Sequence, residues 1–204
     1  MKKIILLSTI LLSLQTFSQS NFKKFLKLSC PLKTWVIFHP FKAKRALEIS
    51  DETKKVADSI AKTNLLDGDI SGGRVDAFRH AYWMATLQQK LGKRAALSLG
   101  KAHEKDNYKT YKKRKLEEGV LPDKISSEMD LYNNNIGVKL STKGDLISKN
   151  NLISKIVKAI KDGKMKIIKK DKNGNFLTCK DQLISKDSLK GKWENNKCLV
   201  LSNY

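Results

Sequence analysis

The chain has 204 residues, 40% of them hydrophobic and 30% charged, which suits one domain with a proper core plus a small appendage. Its formal net charge of +21 invites a nucleic-acid reading, but the surplus is unevenly placed. Residues 139–204 hold sixteen Lys against six acidic residues, while residues 64–138, which carry the motifs described below, hold thirteen basic against ten acidic. A nuclease gathers phosphate-attracting charge around its site. Nucleic acid therefore ranks below a solvated surface and below an anionic partner such as lipid or polysaccharide.

The N-terminus opens with Lys2-Lys3, continues through a mostly apolar run over 4–17 and ends in Ser18-Gln19-Ser20. This pattern predicts a secretory signal peptide over residues 1–18. The run is shorter than the roughly 20 apolar residues that span a bilayer, and no later stretch qualifies. The expectation is an exported chain, periplasmic or extracellular. Three cysteines in an oxidising compartment predict one disulfide and one odd thiol. Cys179 and Cys198 are the nearer pair, leaving Cys30; three reduced, buried thiols are the alternative.

Residues 19–40 are rich in aromatic and aliphatic side chains, among them Phe22, Phe25, Trp35 and Phe38, and predict a strap packed on the domain. Apolar residues at helical intervals predict a helix over 41–64, with Ser50-Asp51 a candidate fresh start. Residues 67–73 form a turn-rich loop ending in Gly72-Gly73. Next comes a helix over 74–91 that Gly92 stops, and another over 93–109. Leu121-Pro122-Asp123 breaks the pattern before a helix from about 126 to 135, with Gly137 a candidate stop. A last amphipathic helix covers 146–160. Beyond it, apolar runs at 165–168 and 176–178 flank Asn173-Gly174, a hairpin signal, and a final strand is expected at 197–201. The predicted fold is mainly α, a single helical domain over 41–162 with a β-hairpin appendage over 163–204.

Three stretches of the helical part carry the chemistry. Each places two polar residues four apart, on one helix face: Asp76 with His80, His103 with Asn107, and Asp130 with Asn134. Three such faces turned inward would make one polar centre. Asp76 is placed to hold an imidazole N–H of His80 and fix its tautomer. Arg79 adjoins them in a chain whose Lys outnumber its Arg about sevenfold, and its planar fork suits a carboxylate or phosphate. His103-Glu104 lacks the second histidine of a zinc-protease helix, since position 107 is Asn. His103 is still able to supply one base or ligand, oriented by Asp106 or Asn107. Asp130 has a rival explanation as the acid of a capping box opened by Ser127. Tyr82, Trp83 and Tyr132 are more often core or rim than a substrate platform.

The run from Gly72 to Trp83, with Asp76, Arg79, His80 and Trp83, the pair His103-Glu104, and the stretch Met129 to Gly137 together resemble a bacterial domain family of unknown function. That family occurs in exported proteins and at the ends of toxin-like multidomain chains, with the pattern D-A-x-R-H-x-x-W, then H-E, then M-D-x-x-N-N-x-x-G. The match covers residues 64–140. It implies that Arg79, His80, His103, Glu104, Asp130 and Asn134 belong to one centre, and it implies no activity.

The site expected from the sequence comprises His80, His103, Asp130, Arg79 and Glu104 as catalytic candidates, supported by Asp76, Asn107 and Asn134. His80, His103 and Asp130 are also candidate ligands for a single divalent metal such as zinc or manganese. A metal-free acid/base pair with Arg79 stabilising an anion is the other form of the same centre. Three functional classes follow. A hydrolase acting on envelope or other polymeric material leads, a non-enzymatic envelope binding or structural protein comes second, and a basic nuclease-like toxin third.

Overall fold

The structure is a computed structural model that describes residues 23, 25–116 and 120–204. The expected signal peptide over 1–18 and part of the expected strap lie outside those residues. Among the described residues six helices dominate: α1 (Cys30–Phe38), α2 (Pro40–Ala61), α3 (Arg74–Leu91), α4 (Lys93–Lys112), α5 (Lys124–Gly137) and α6 (Lys149–Lys161). They are followed by β1 (Lys166–Ile168), the short α7 (Lys186–Leu189) and β2 (Leu199–Leu201). The fold is mainly α with a small antiparallel sheet near the C-terminus. No helix among the described residues is long and apolar enough to cross a membrane.

Helix α3 is the centre of the molecule. Fourteen of its 18 residues are buried, polar ones included, because α2, α4, α5 and α6 all pack against it. A helix enclosed on every side needs apolar residues all round, which is why its hydrophobic positions do not form a single stripe. Ala77, Phe78, Ala81 and Tyr82 meet Val56, Ile60, Ile156 and Ile160 on one side. Met84, Leu87 and Leu91 meet Trp35, Ile49, Ala96 and Leu99 on the other. Gly92, at φ +89°, is the one residue between α3 and α4, ending the first and opening the second. That left-handed backbone is open to glycine at little cost.

Small residues let α5 come close to α3. A Cβ built on Gly137 would lie 2.6 Å from both Cα and the carbonyl oxygen of Ala81, so the two backbones touch there. Ser141 closes the same seam by donating its hydroxyl to the Ala85 carbonyl at 2.7 Å. On the neighbouring side, Gly100 of α4 leaves room for Asn134 and Met84.

Several boundaries differ from the sequence expectation, each for a local reason. Residues 40–61 form one unbroken helix, with Ser50 bonded back to the Ala46 carbonyl rather than starting a new turn. The strap residues divide. Trp35 is buried and donates to the Ala95 carbonyl and Ser98, whereas Phe38 stands 76% exposed. The turn at Asn173-Gly174 closes only an isolated bridge between Lys170 and Phe176, while β1 pairs with β2, Lys166 opposite Leu201. Cys179 and Cys198 form a disulfide with S–S 2.01 Å, and Cys30 is free and exposed.

Replacing Gly137 by Ala would drive a methyl group into backbone that has no room to retreat. Gly137→Ala is expected to lower stability by about 1–3 kcal/mol in chemical denaturation. A neutral result would mean that α3 and α5 are not in backbone contact.

Candidate functional site

The site is assembled in the first two turns of α3, in the middle of α4 and from the middle of α5 toward its end. Before α3, residues 67–73 are tied down by their own side chains. Asp67 accepts the N–H of Arg74 at 2.8 Å, Asp69 accepts that of Ser71 at 3.0 Å, and the Asp69 carbonyl accepts the N–H of Asp76 at 3.2 Å. Gly72 stands at φ +84° and donates its N–H to Asp76 Oδ2 at 2.7 Å. The loop thus fixes one oxygen of the Asp76 carboxylate and turns the other, Oδ1, toward Arg79 and His80. Asp76 also lies in the first turn of α3, where the helix dipole favours a negative charge.

Helix α5 is started by Asp123, whose carboxylate accepts the N–H of Ser126 at 2.8 Å. The capping-box explanation of Asp130 is thereby replaced. The cap belongs to Asp123, and Asp130 lies a turn and more inside the helix, facing α3. The three consecutive asparagines have separate tasks. Asn133 bonds both the N–H and the carbonyl of Lys166 at 2.9 Å and so fastens α5 to β1. Asn135 bonds the Leu131 carbonyl on its own helix. Asn134 reaches His80.

His80 is 3% exposed and sits where α3 and α5 meet. Its Nδ1 lies 3.3 Å from Asn134 Oδ1. Its Nε2 lies 3.1 Å from Asp130 Oδ1 and 3.6 Å from Asp76 Oδ1. The Arg79 guanidinium is 2.6 Å from Asp76 Oδ1 and 3.5 Å from His80 Nε2. With Nδ1 held by the amide of Asn134, the other ring nitrogen, Nε2, faces the two carboxylates. His103 of α4 stands with its ring centroid 6.4 Å from that of His80 and 5.7 Å from that of Trp83, which it meets edge to face.

A cleft of about 100 Å³ opens on this arrangement, with Asp76, Arg79, His103, Asn107 and Asp130 in its wall. His80 lies behind that wall. Glu104 is buried and joined to the cleft through Asn107, whose amide donates to Glu104 Oε2 at 3.3 Å. The structure thus brings His80, Asp130, Asp76, Arg79 and Asn134 into direct contact and places His103 and Asn107 on the same cleft. The compact set of candidate metal ligands differs from the expected one. Among the described residues, the donor atoms that lie within 4.8 Å of one another belong to Asp76, His80 and Asp130.

Of the nearby aromatics, Tyr82 is core. It is 2% exposed and stacks on Phe78 at 5.7 Å. Burial pushes its hydroxyl above the ordinary phenol range, and the Glu52 carboxylate adds to the effect, so it stays neutral. Trp83 donates to Ser50 at 2.9 Å and meets His103 edge to face.

Residues 33–164 match the family described as a domain of unknown function, DUF6973. The chain belongs to that family. The DUF6973 region takes in helices α2 to α6, and with them every residue of the polar centre. No curated protein and no solved structure matches the chain.

One contribution to the site comes from outside that region and has no local signal in the sequence. Lys197 Nζ lies 2.5 Å from Asp123 Oδ2, both side chains about 6% exposed, and Asn195 donates to the same oxygen at 3.0 Å. This buried pair holds the cap of α5. Removing one partner of such a pair strands the other charge, so Lys197→Met is expected to cost about 3 kcal/mol in urea or thermal unfolding. A loss below about 0.5 kcal/mol would show that the appendage does not support α5.

Proposed function

We propose that the chain is an exported hydrolase that cuts a bond in cell-envelope or other polymeric material at the cleft between α3, α4 and α5. The observation that carries this reading is the shared wall. A carboxylate pair, a guanidinium and an imidazole drawn from three helices face one space of about 100 Å³. Hydrolysis asks for a group to take a proton from water, a cation to meet the developing anion and a fixed frame that holds both. His103, half-buried and in the cleft wall, is the proton acceptor. Arg79, a quarter exposed, is the anion contact. Asp130 and His80 are the frame behind them. In the step so assigned, the water oxygen bonds to the electrophilic carbon or phosphorus as its proton passes to His103. The broken bond's electron pair departs with the leaving group, which takes that proton back.

Two further observations favour an extended substrate outside the cytoplasm. A second cleft of about 220 Å³, lined by Lys54, Asp58 and Val75, shares Ile70 and Arg79 with the first, which leaves room for a chain lying across both. The disulfide between Cys179 and Cys198 suits an oxidising compartment, in keeping with the leader-like residues 1–18.

The test is release of soluble product from peptidoglycan, polysaccharide, phospholipid vesicles and nucleic acid by the purified chain. His103→Ala and Arg79→Gln should each slow the productive reaction by about 10²–10⁴-fold with little change in melting temperature. Absence of product from all four materials, together with a large drop in melting temperature in both variants, would replace this reading with that of a structural or binding protein whose polar network serves the fold.

A further inference from the structure

We infer that Asp76, His80 and Asp130 bind one divalent first-row metal ion, zinc or manganese. The binding is argued from geometry alone, and the ion's part in catalysis rests on the hydrolase reading above. An ion held about 2.1 Å from each donor spaces neighbouring donors about 3.0–3.4 Å apart, for octahedral and tetrahedral coordination respectively. The Nε2 to Asp130 distance is 3.1 Å, the Nε2 to Asp76 distance is 3.6 Å, and the candidate donor atoms all lie within 4.8 Å of one another. These spacings need adjustments of only a few tenths of an ångström on the two measured edges to surround an ion.

The neighbours of the three donors are those that metal ligands use. Asn134 Oδ1 holds the far ring nitrogen of His80 and leaves Nε2 to the ion, as an orienting partner does for a ligating imidazole. The N–H of Gly72 holds Asp76 Oδ2, fixing the plane of that carboxylate. All three side chains are buried, so the donor set is preorganised rather than gathered from mobile surface groups. One imidazole with two carboxylates is a set that suits zinc or manganese.

Three protein donors leave coordination positions open, and Asp76 and Asp130 present them to the cleft. A water bound there loses its proton more readily than bulk water. His103, in the wall of the same cleft, would take that proton. The positive charge now beside the trio is Arg79, 2.6 Å from Asp76 Oδ1. With an ion in place, that guanidinium would turn outward to meet the substrate's anion.

The experiment uses the full chain purified without an affinity tag, stripped with chelator and carrying Cys30→Ser, because the exposed thiol of Cys30 could bind zinc by itself. Calorimetric titration with zinc chloride and with manganese chloride should show one ion per chain for at least one of the two metals. Asp130→Asn, nearly isosteric, should weaken that binding by at least about 100-fold while the metal-free melting temperature stays within a few degrees. Electron spin-echo spectra of the manganese-loaded chain should carry modulation from one directly bonded imidazole nitrogen, a signature that needs no variant. No saturable binding of either metal, binding that Asp130→Asn leaves unchanged, or a manganese spectrum without nitrogen modulation would overturn the site. The two proposals fail separately. A bound ion with no product from any material removes the hydrolase and leaves the site, whereas hydrolysis by a chain that binds neither metal removes the site and leaves the hydrolase.

Discussion

The contact of Gly137 with the backbone of Ala81 is the constraint on which the polar centre depends. It brings α5 closer to α3 than side chains larger than hydrogen would allow. One turn and two turns back from Gly137 toward the helix start lie Asn134 and Asp130, and one residue before Ala81 is His80. The seam that joins the backbones therefore also sets the distance at which Asn134 and Asp130 meet the two ring nitrogens of His80. Polar groups buried here are costly when unsatisfied, about 1–3 kcal/mol each. The close approach allows both helices to answer that cost with one shared histidine.

The C-terminal appendage bears on the same centre from outside. Lys170 bonds Asp69 and the Ser71 carbonyl, and the N–H of Ile168 donates to the Gly72 carbonyl at 2.7 Å, so β1 and the residues after it hold the loop that aims Asp76. Arg74 reaches the other way, bonding the carbonyls of Ser202 and Tyr204. Lys197 and Asn195 hold the Asp123 cap, and the N–H of Lys124 donates to the Trp193 carbonyl at 2.9 Å. The beginnings of α3 and of α5 are thus both fastened by residues 166–204. The disulfide staples this clamp, since Cys198 directly follows Lys197 and is joined to Cys179 on the intervening loop.

Local spacing made part of this legible from the sequence. The limits of α3 followed from Gly73 before it and Gly92 after it, and the facing of Asp76 with His80 followed from a four-residue step on one helix. The same step placed Asp130 and Asn134 together. What lay beyond reach was any partnership between distant positions. Asp123 reads locally as part of a loop, and its value comes from Lys197, 74 residues away. Asn133 and Asn134 are adjacent, and only the position of β1 decides that one clamps a strand while the other meets a histidine. The turn at Asn173-Gly174 is real, yet β1 prefers β2, because Ile167 and Ile168 are buried against the helical core and β2 is what covers that edge. Phe38 was expected to pack by its apolar character alone, and it stands exposed at the end of α1.

The most direct test of this account is a double-mutant cycle between His80 and Asn134, one on each side of the seam. Unfolding free energies of His80→Ala, Asn134→Ala and the double variant give the coupling between α3 and α5 at the point where the polar centre is built. The account predicts a coupling of at least about 1 kcal/mol, because each residue loses its partner when the other is cut back. Additivity within about 0.3–0.5 kcal/mol would contradict it, showing that the two side chains do not share one buried centre.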